Sequence, residues 1–235
     1  MQRILVINPK GGSGKTTLAT NLASLFSNRG KITTLMDLDP QGSSVFWALN
    51  RPDSAPHIQL VDAHNCPQNV TRSWAIQPPR NTEVLVLDTP ARPDMINLRP
   101  LLQEATAILL PVLLAEFDLH AIANTVAQLS RVLRSREAMA LVVNRSPLTE
   151  QAKCRSEELG RELDLPVIAT LRDSRNFVKV VTEGKGVCEM KGSHYRGDRR
   201  EVEKIGDWCC NAADRRQGPS HIRPNPTAIA MAGSV

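Results

Sequence analysis

Aromatic side chains are scarce in this 235-residue chain: one Tyr, three Trp and four Phe amount to 3% of it. A core with so few rings must be filled by Leu, Val, Ile and Ala, which suits strands covered on both faces. The same scarcity argues against stacking of bases on aromatic platforms as a main binding mode. Long apolar runs are missing too. The longest, around Ile108 to Ala115, is too short to span a membrane and is interrupted by Pro111. The five cysteines (Cys66, Cys154, Cys188, Cys209 and Cys210) are odd in number and form no CxxC pair. No export signal precedes the first apolar run, so reduced thiols in a cytoplasmic protein are expected. Histidines and cysteines show no metal-ligand spacing, no nucleophile–base pair suggests covalent catalysis, and there are no internal repeats.

What is present is an ordinary globular composition, 41% apolar, long enough for one sizeable α/β core. The net charge of +5 is unevenly placed. From Arg172 to Arg200 eight basic residues (Arg172, Arg175, Lys179, Lys185, Lys191, Arg196, Arg199, Arg200) face four acidic ones, Asp173, Glu183, Glu189 and Asp198. Such an excess favours a polyanion, although a solvated mixed-charge surface gives the same count.

Apolar runs read as strands at Arg3 to Asn8, Ile32 to Met36, Ile58 to Val61, Val84 to Leu87, Ala107 to Pro111, Met139 to Asn144 and Val167 to Leu171. Helical spacing is found at Thr16 to Asn28, Pro93 to Glu104, Leu119 to Leu133 and Thr149 to Leu163, with Gly30 closing the first helix. This alternation predicts an α/β fold, a doubly wound, mainly parallel sheet flanked by helices. Ligands bind such sheets at the carboxyl ends of the strands, so Asn8, Asp37, Asp88, Asn144 and Leu171 are expected to line one crevice. His64 to Asn81 reads as irregular. Residues 1–213 are expected to form a single domain, and 214–235, rich in Pro, Gly, Ser and Asn, a disordered tail.

The strongest motif is Pro9-Lys10-Gly11-Gly12-Ser13-Gly14-Lys15-Thr16, a GxxxxGK[ST] phosphate loop with Pro in the first glycine position. Its glycines let backbone N–H groups turn inward around phosphates. Lys15 reaches the β and γ oxygens, Thr16 offers a hydroxyl to Mg²⁺, and the helix beginning at Thr16-Thr17 adds its dipole. A plain glycine turn between strand and helix would not require Lys-Thr at that point. Val84 to Asp88 has the form of a Walker B strand ending in a carboxylate, with Asp88 expected to bind the Mg²⁺ through water.

With Lys10 included, the loop resembles the deviant Walker A motif KGGxGK[ST] of the ParA/MinD family of ATPases. The resemblance extends to about Asp207. It implies binding and hydrolysis of ATP with Mg²⁺, and a homodimer in which Lys10 reaches the phosphates of the partner's ATP. A cation supplied in trans would stabilise the transferred phosphoryl group as an arginine finger does. Asp37-Leu38-Asp39-Pro40-Gln41-Gly42 looks like the family's switch segment, which implies Asp37 near the Mg²⁺ and Asp39 orienting the attacking water. Two acids after a strand also suit a helix cap. Thr89-Pro90-Ala91 resembles the second switch. Asn144-Arg145 resembles the adenine-contacting position and Leu171-Arg172-Asp173 the other side of the base, although a strand-end Asn is often a turn former.

The resemblance leaves several roles open. One is a nucleoid-associated positioning ATPase that binds DNA non-specifically as an ATP dimer and is released when an adaptor protein stimulates hydrolysis. Its cargo would be a plasmid, a chromosome or an organelle such as a carboxysome. The DNA-binding candidates are Lys179, Lys185, Arg196, Arg199 and Arg200, with Arg172 shared with the adenine position. A MinD-like membrane-surface ATPase is the alternative, but it needs an amphipathic C-terminal helix, and Pro219, Pro224 and Pro226 do not fit one. A metal-cluster carrier needs thiolates at the dimer axis, and no cysteine lies near Asp88 to Asp94. No helix-turn-helix precedes the loop, so DNA contact is expected to be through phosphates and salt-dependent.

Overall fold

The computed structural model describes residues 1–64, 77–133 and 135–217. Seven parallel strands form one sheet: β1 (Gln2–Val6), β2 (Thr33–Asp37), β3 (Gln59–Asp62), β4 (Val84–Asp88), β5 (Ala107–Val112), β6 (Met139–Ser146) and β7 (Val167–Arg172). Their order is β3-β2-β4-β1-β5-β6-β7. Every expected strand is present, shifted by one or two residues at the ends. Burial on both faces explains their continuous apolar sequences, since alternate residues enter opposite cores. Ile4, Leu35, Val86, Leu109 and Val142 point into one core, while Leu5, Met36, Leu87, Ile108 and Leu141 point into the other.

Helices α1 (Lys15–Asn28), α2 (Ser43–Leu49), α6 (Arg175–Thr182) and α7 (Arg196–Gln217) contribute to the first core. Helices α3 (Met95–Glu104), α4 (Glu116–Val132) and α5 (Glu150–Leu163) contribute to the second. The sheet is therefore doubly wound, as the alternating pattern predicts. Helix α1 ends at Gly30, whose φ of 78° is the left-handed value that closes a helix at low cost for glycine.

Three helices lie outside the expected set. Helix α2 exposes Phe46 and Leu49, which blurs its apolar stripe. Helix α6 contains Val178, Val180, Val181 and Thr182, β-branched residues that favour strands. Its start is fixed by the Ser174 side chain, which accepts from the Asn176 N–H. Helix α7 buries Val202, Ile205, Cys209 and Ala212, a spacing of three and four, among charged residues. It runs through Gln217, so residues 214–217, expected in the tail, continue a helix. The rest of the expected tail, 218–235, lies outside the described residues, as do Cys66 and most of the stretch expected to be irregular. Among the described residues no helix is long and apolar enough to cross a membrane.

Register places the site. Val6 and Asp37 both pair with Asp88 across the sheet, so β1, β2 and β4 end side by side. The phosphate loop, the switch segment and the Walker B carboxylate thus meet at one edge.

Candidate nucleotide site

The loop between β1 and α1 is shaped by two left-handed glycines, Gly12 (φ 77°) and Gly14 (φ 94°). At Gly14 the Asn144 amide lies so close that a Cβ would stand 2.0 Å from its Nδ2, so only glycine fits. Asn144 Nδ2 donates to the Ser13 carbonyl at 2.9 Å. Asn144, expected to contact adenine, therefore also braces the loop from β6. On the near side, Asn8 Nδ2 donates to the Pro111 carbonyl while its Oδ1 accepts from the Lys10 N–H. The Thr89 hydroxyl donates to the Val6 carbonyl, and the Arg92 N–H to the Pro9 carbonyl, which ties the second switch to the base of the loop.

Lys15 is buried, and its Nζ donates to the Lys10 carbonyl at 3.0 Å. Burial lowers its pKa, and the charges of Asp88 and Asp39 oppose that shift. Lys10 does not point into its own loop. Its Nζ donates to Asp118 Oδ2 at 3.1 Å and lies 5.8 Å from the centre of the exposed Phe117 ring, both at the start of α4.

Asp88 is buried, and its pKa is pushed up to about 7 by that burial. The Ser44 hydroxyl, which donates to Oδ2 at 2.8 Å, the nearby Thr16 hydroxyl and the Lys15 charge only partly offset this. Its other oxygen, Oδ1, has no hydrogen-bond partner. A buried carboxylate oxygen without a donor, next to Thr16, fits a hard divalent cation such as Mg²⁺. Among the described residues no group of three or more His, Cys, Asp or Glu forms a metal cage.

Asp37 accepts from three backbone N–H groups. Oδ1 accepts from the Asp39 N–H, and Oδ2 accepts from the N–H groups of Ser44 and Val45. These bonds anchor the turn after β2 to the start of α2, a helix-capping role, while the register keeps Asp37 beside Asp88 at the strand ends. Asp39 is half-buried and accepts from the Gln41 N–H, leaving its carboxylate at the site's edge. Ser44 was not singled out in the sequence; only its distance from Asp88 marks it.

A groove of about 460 Å³ beside the loop is lined by Thr17, Asn144, Arg145, Arg172, Asp173, Ser174 and one side of α6. It joins the two segments expected to close around a base. Leu171 is 3% exposed and belongs to the core instead; the next residue, Arg172, reaches the groove. Another cavity, of about 430 Å³, lies near Gln103, Glu137 and Arg215 at the opposite end of the strands and contains none of these residues.

The basic segment is less free than its charge count suggests. Lys185 pairs with Glu183, Arg172 with Asp198, and Arg199 donates to the Met190 and Gly192 carbonyls. Lys179, Arg196 and Arg200 are exposed.

Residues 4–187 match the family model described as the CobQ/CobB/MinD/ParA nucleotide binding domain. A maintenance of carboxysome distribution protein A from Halothiobacillus neapolitanus is 31% identical over 212 residues, 86% of this chain and 93% of that protein. One of the same name from Gloeobacter kilaueensis is 27% identical, covering 87% and 92%. Among solved structures, an ATP complex of Cyanothece McdA superposes with a TM-score of 0.67 at 15% identity, over 88% of this chain and 96% of that one. With the loop, the paired strand ends and the doubly wound sheet in place, this chain belongs to the CobQ/CobB/MinD/ParA nucleotide-binding family, as a P-loop ATPase of its ParA/MinD branch.

Proposed function

We propose that this protein is an Mg²⁺-dependent ATPase that dimerises on ATP, binds nucleoid DNA without sequence preference, and distributes carboxysomes through an adaptor protein. The observation that carries the chemistry is the buried, donor-free Oδ1 of Asp88 beside Thr16 and Lys15. The cargo is inferred from the two relatives named for carboxysome distribution, each aligned over most of both chains.

Thr16 and Asp88 would hold Mg²⁺, which would supply positive charge against that of the phosphates. Loop N–H groups from Gly11 to Thr17 face the phosphates, and Lys15 exchanges the Lys10 carbonyl for them. Asp39 orients the attacking water. Lys10 leaves Asp118 and reaches the nucleotide of the second subunit, where its charge stabilises the transferred phosphoryl group. Lys179, Arg196 and Arg200 meet DNA phosphates, a contact that salt weakens steeply.

Turnover of the purified protein should require Mg²⁺ and be lost in Asp39→Ala while ATP binding remains. Reversing Lys179, Arg196 and Arg200 to Glu should abolish ATP-dependent binding to unrelated duplexes and leave ATP affinity intact. Turnover that persists in Asp39→Ala would remove the water-positioning role, and DNA binding that ignored the reversal would discard the basic face. In the source cell, deleting the gene should cluster the carboxysomes; undisturbed spacing would exclude this cargo.

A further inference from the structure

Asp198, in the first turn of α7, is 2% exposed, yet four side-chain donor bonds converge on it. Arg172 contributes Nε to Oδ1 at 2.7 Å and Nη2 to Oδ2 at 3.0 Å. The Ser174 hydroxyl donates to Oδ2 at 3.1 Å and Asn176 Nδ2 to the same oxygen at 2.6 Å. These donors come from the end of β7 and the start of α6. Arg172 and Ser174 also line the groove beside the phosphate loop.

We propose that Asp198 is a positioning residue for nucleotide recognition, holding from α7 the wall of the groove that receives the base. The proposal rests on the reading of that groove as the base site. Two features separate this arrangement from an incidental ion pair. Arg172 is a long side chain that is 40% exposed; a bidentate carboxylate fixes its planar group in one orientation against the groove. Ser174 caps α6 with the same oxygen that donates to Asp198, because its Oγ accepts from the Asn176 N–H at 3.2 Å. Asp198 thereby orients the cap of the helix whose Phe177, Val178, Val181 and Thr182 form the apolar side of the groove. The pair is charged as this requires. Burial opposes ionisation of Asp198, but Arg172, Asn176 and Ser174 outweigh it and its pKa lies below the ordinary carboxylate value, while Arg172 is shifted upward.

The test compares a ligand that has a base with one that has only phosphates. Asp198→Asn should weaken ADP binding about tenfold while inorganic tripolyphosphate binds within about twofold of the unmodified protein. Asn176→Ala, which removes one donor without altering a groove-lining residue, should shift ADP about threefold in the same direction. It decides the matter alone if Asp198→Asn does not fold. ADP affinity unchanged in the variants would overturn the proposal. So would a parallel loss of ADP and tripolyphosphate, since a role in general integrity would produce that pattern. If the unmodified protein bound neither ligand, the fault would lie with the nucleotide-site reading and not with Asp198.

Discussion

Burial holds the Asp88 carboxyl at a pKa of about 7, against 3.8 for the free side chain, and only the Ser44, Thr16 and Lys15 side chains moderate it. Between those two values the folded protein keeps a proton that the unfolded chain has released. Stability therefore falls as pH rises through that window and levels off above about 7. The difference corresponds to at most about 4 kcal/mol, and relaxation around the charge reduces it. Replacing Asp88 with Asn should raise the stability of the nucleotide-free protein at pH 8 by roughly 1–3 kcal/mol and eliminate Mg²⁺-dependent turnover. Thermal melting at pH 5 and pH 8 checks the sign: the gain should shrink at the lower pH, and a loss at pH 8 would contradict it. At this scale the sequence was informative wherever a motif fixed the residue. Lys15 and Thr16 open α1 and Asp88 ends β4, as the strand–loop–helix and Walker B patterns predict. Ser44 and Asp198 carry no motif, because hydrogen bonds between distant segments leave no local pattern.

Helix α2 is held at both ends by polar contacts. Asp37 accepts the N–H groups of its first turn. Beyond its far end Arg51 pairs with Glu189, both nearly buried, and Trp47 Nε1 donates to the Lys185 carbonyl. Glu189 also accepts from Ser24 of α1 and from the Gly186 N–H. Arg51→Met leaves that carboxylate buried and without its counter-charge, and should destabilise the protein by about 3–5 kcal/mol in denaturant unfolding. Adding Glu189→Gln should recover part of the loss; no recovery would mean that packing, not charge, sets the cost. The strands were legible because being covered on both faces gives them unbroken apolar sequences. Helices α2 and α6 were not, since exposed Phe46 and Leu49 hide one stripe and a run of β-branched residues disguises the other.

Across the whole molecule, the alignment of Val6, Asp37 and Asp88 at one edge turns three separate motifs into one site. Lys10 stands at its rim, bound to Asp118 of its own chain. On the proposed function this contact competes with the reach of Lys10 into a second subunit. Asp118→Asn should therefore lower the ATP concentration needed for dimerisation several-fold, on the order of 0.5–1 kcal/mol for a partly exposed pair. Sedimentation at graded ATP concentrations would reveal the shift; an unchanged midpoint would show that the contact does not hold Lys10 back.

The sequence alone determined the phosphate loop, the Walker B strand, the seven strands and the family resemblance, because each depends on residues close together in the chain. Tertiary structure decided which charges of the basic segment remain exposed, which carboxylate braces a turn and which is left with an open oxygen, and which donors reach Asp198. Those outcomes depend on burial and on partners brought together by the sheet and its helices, and no local spacing encodes them.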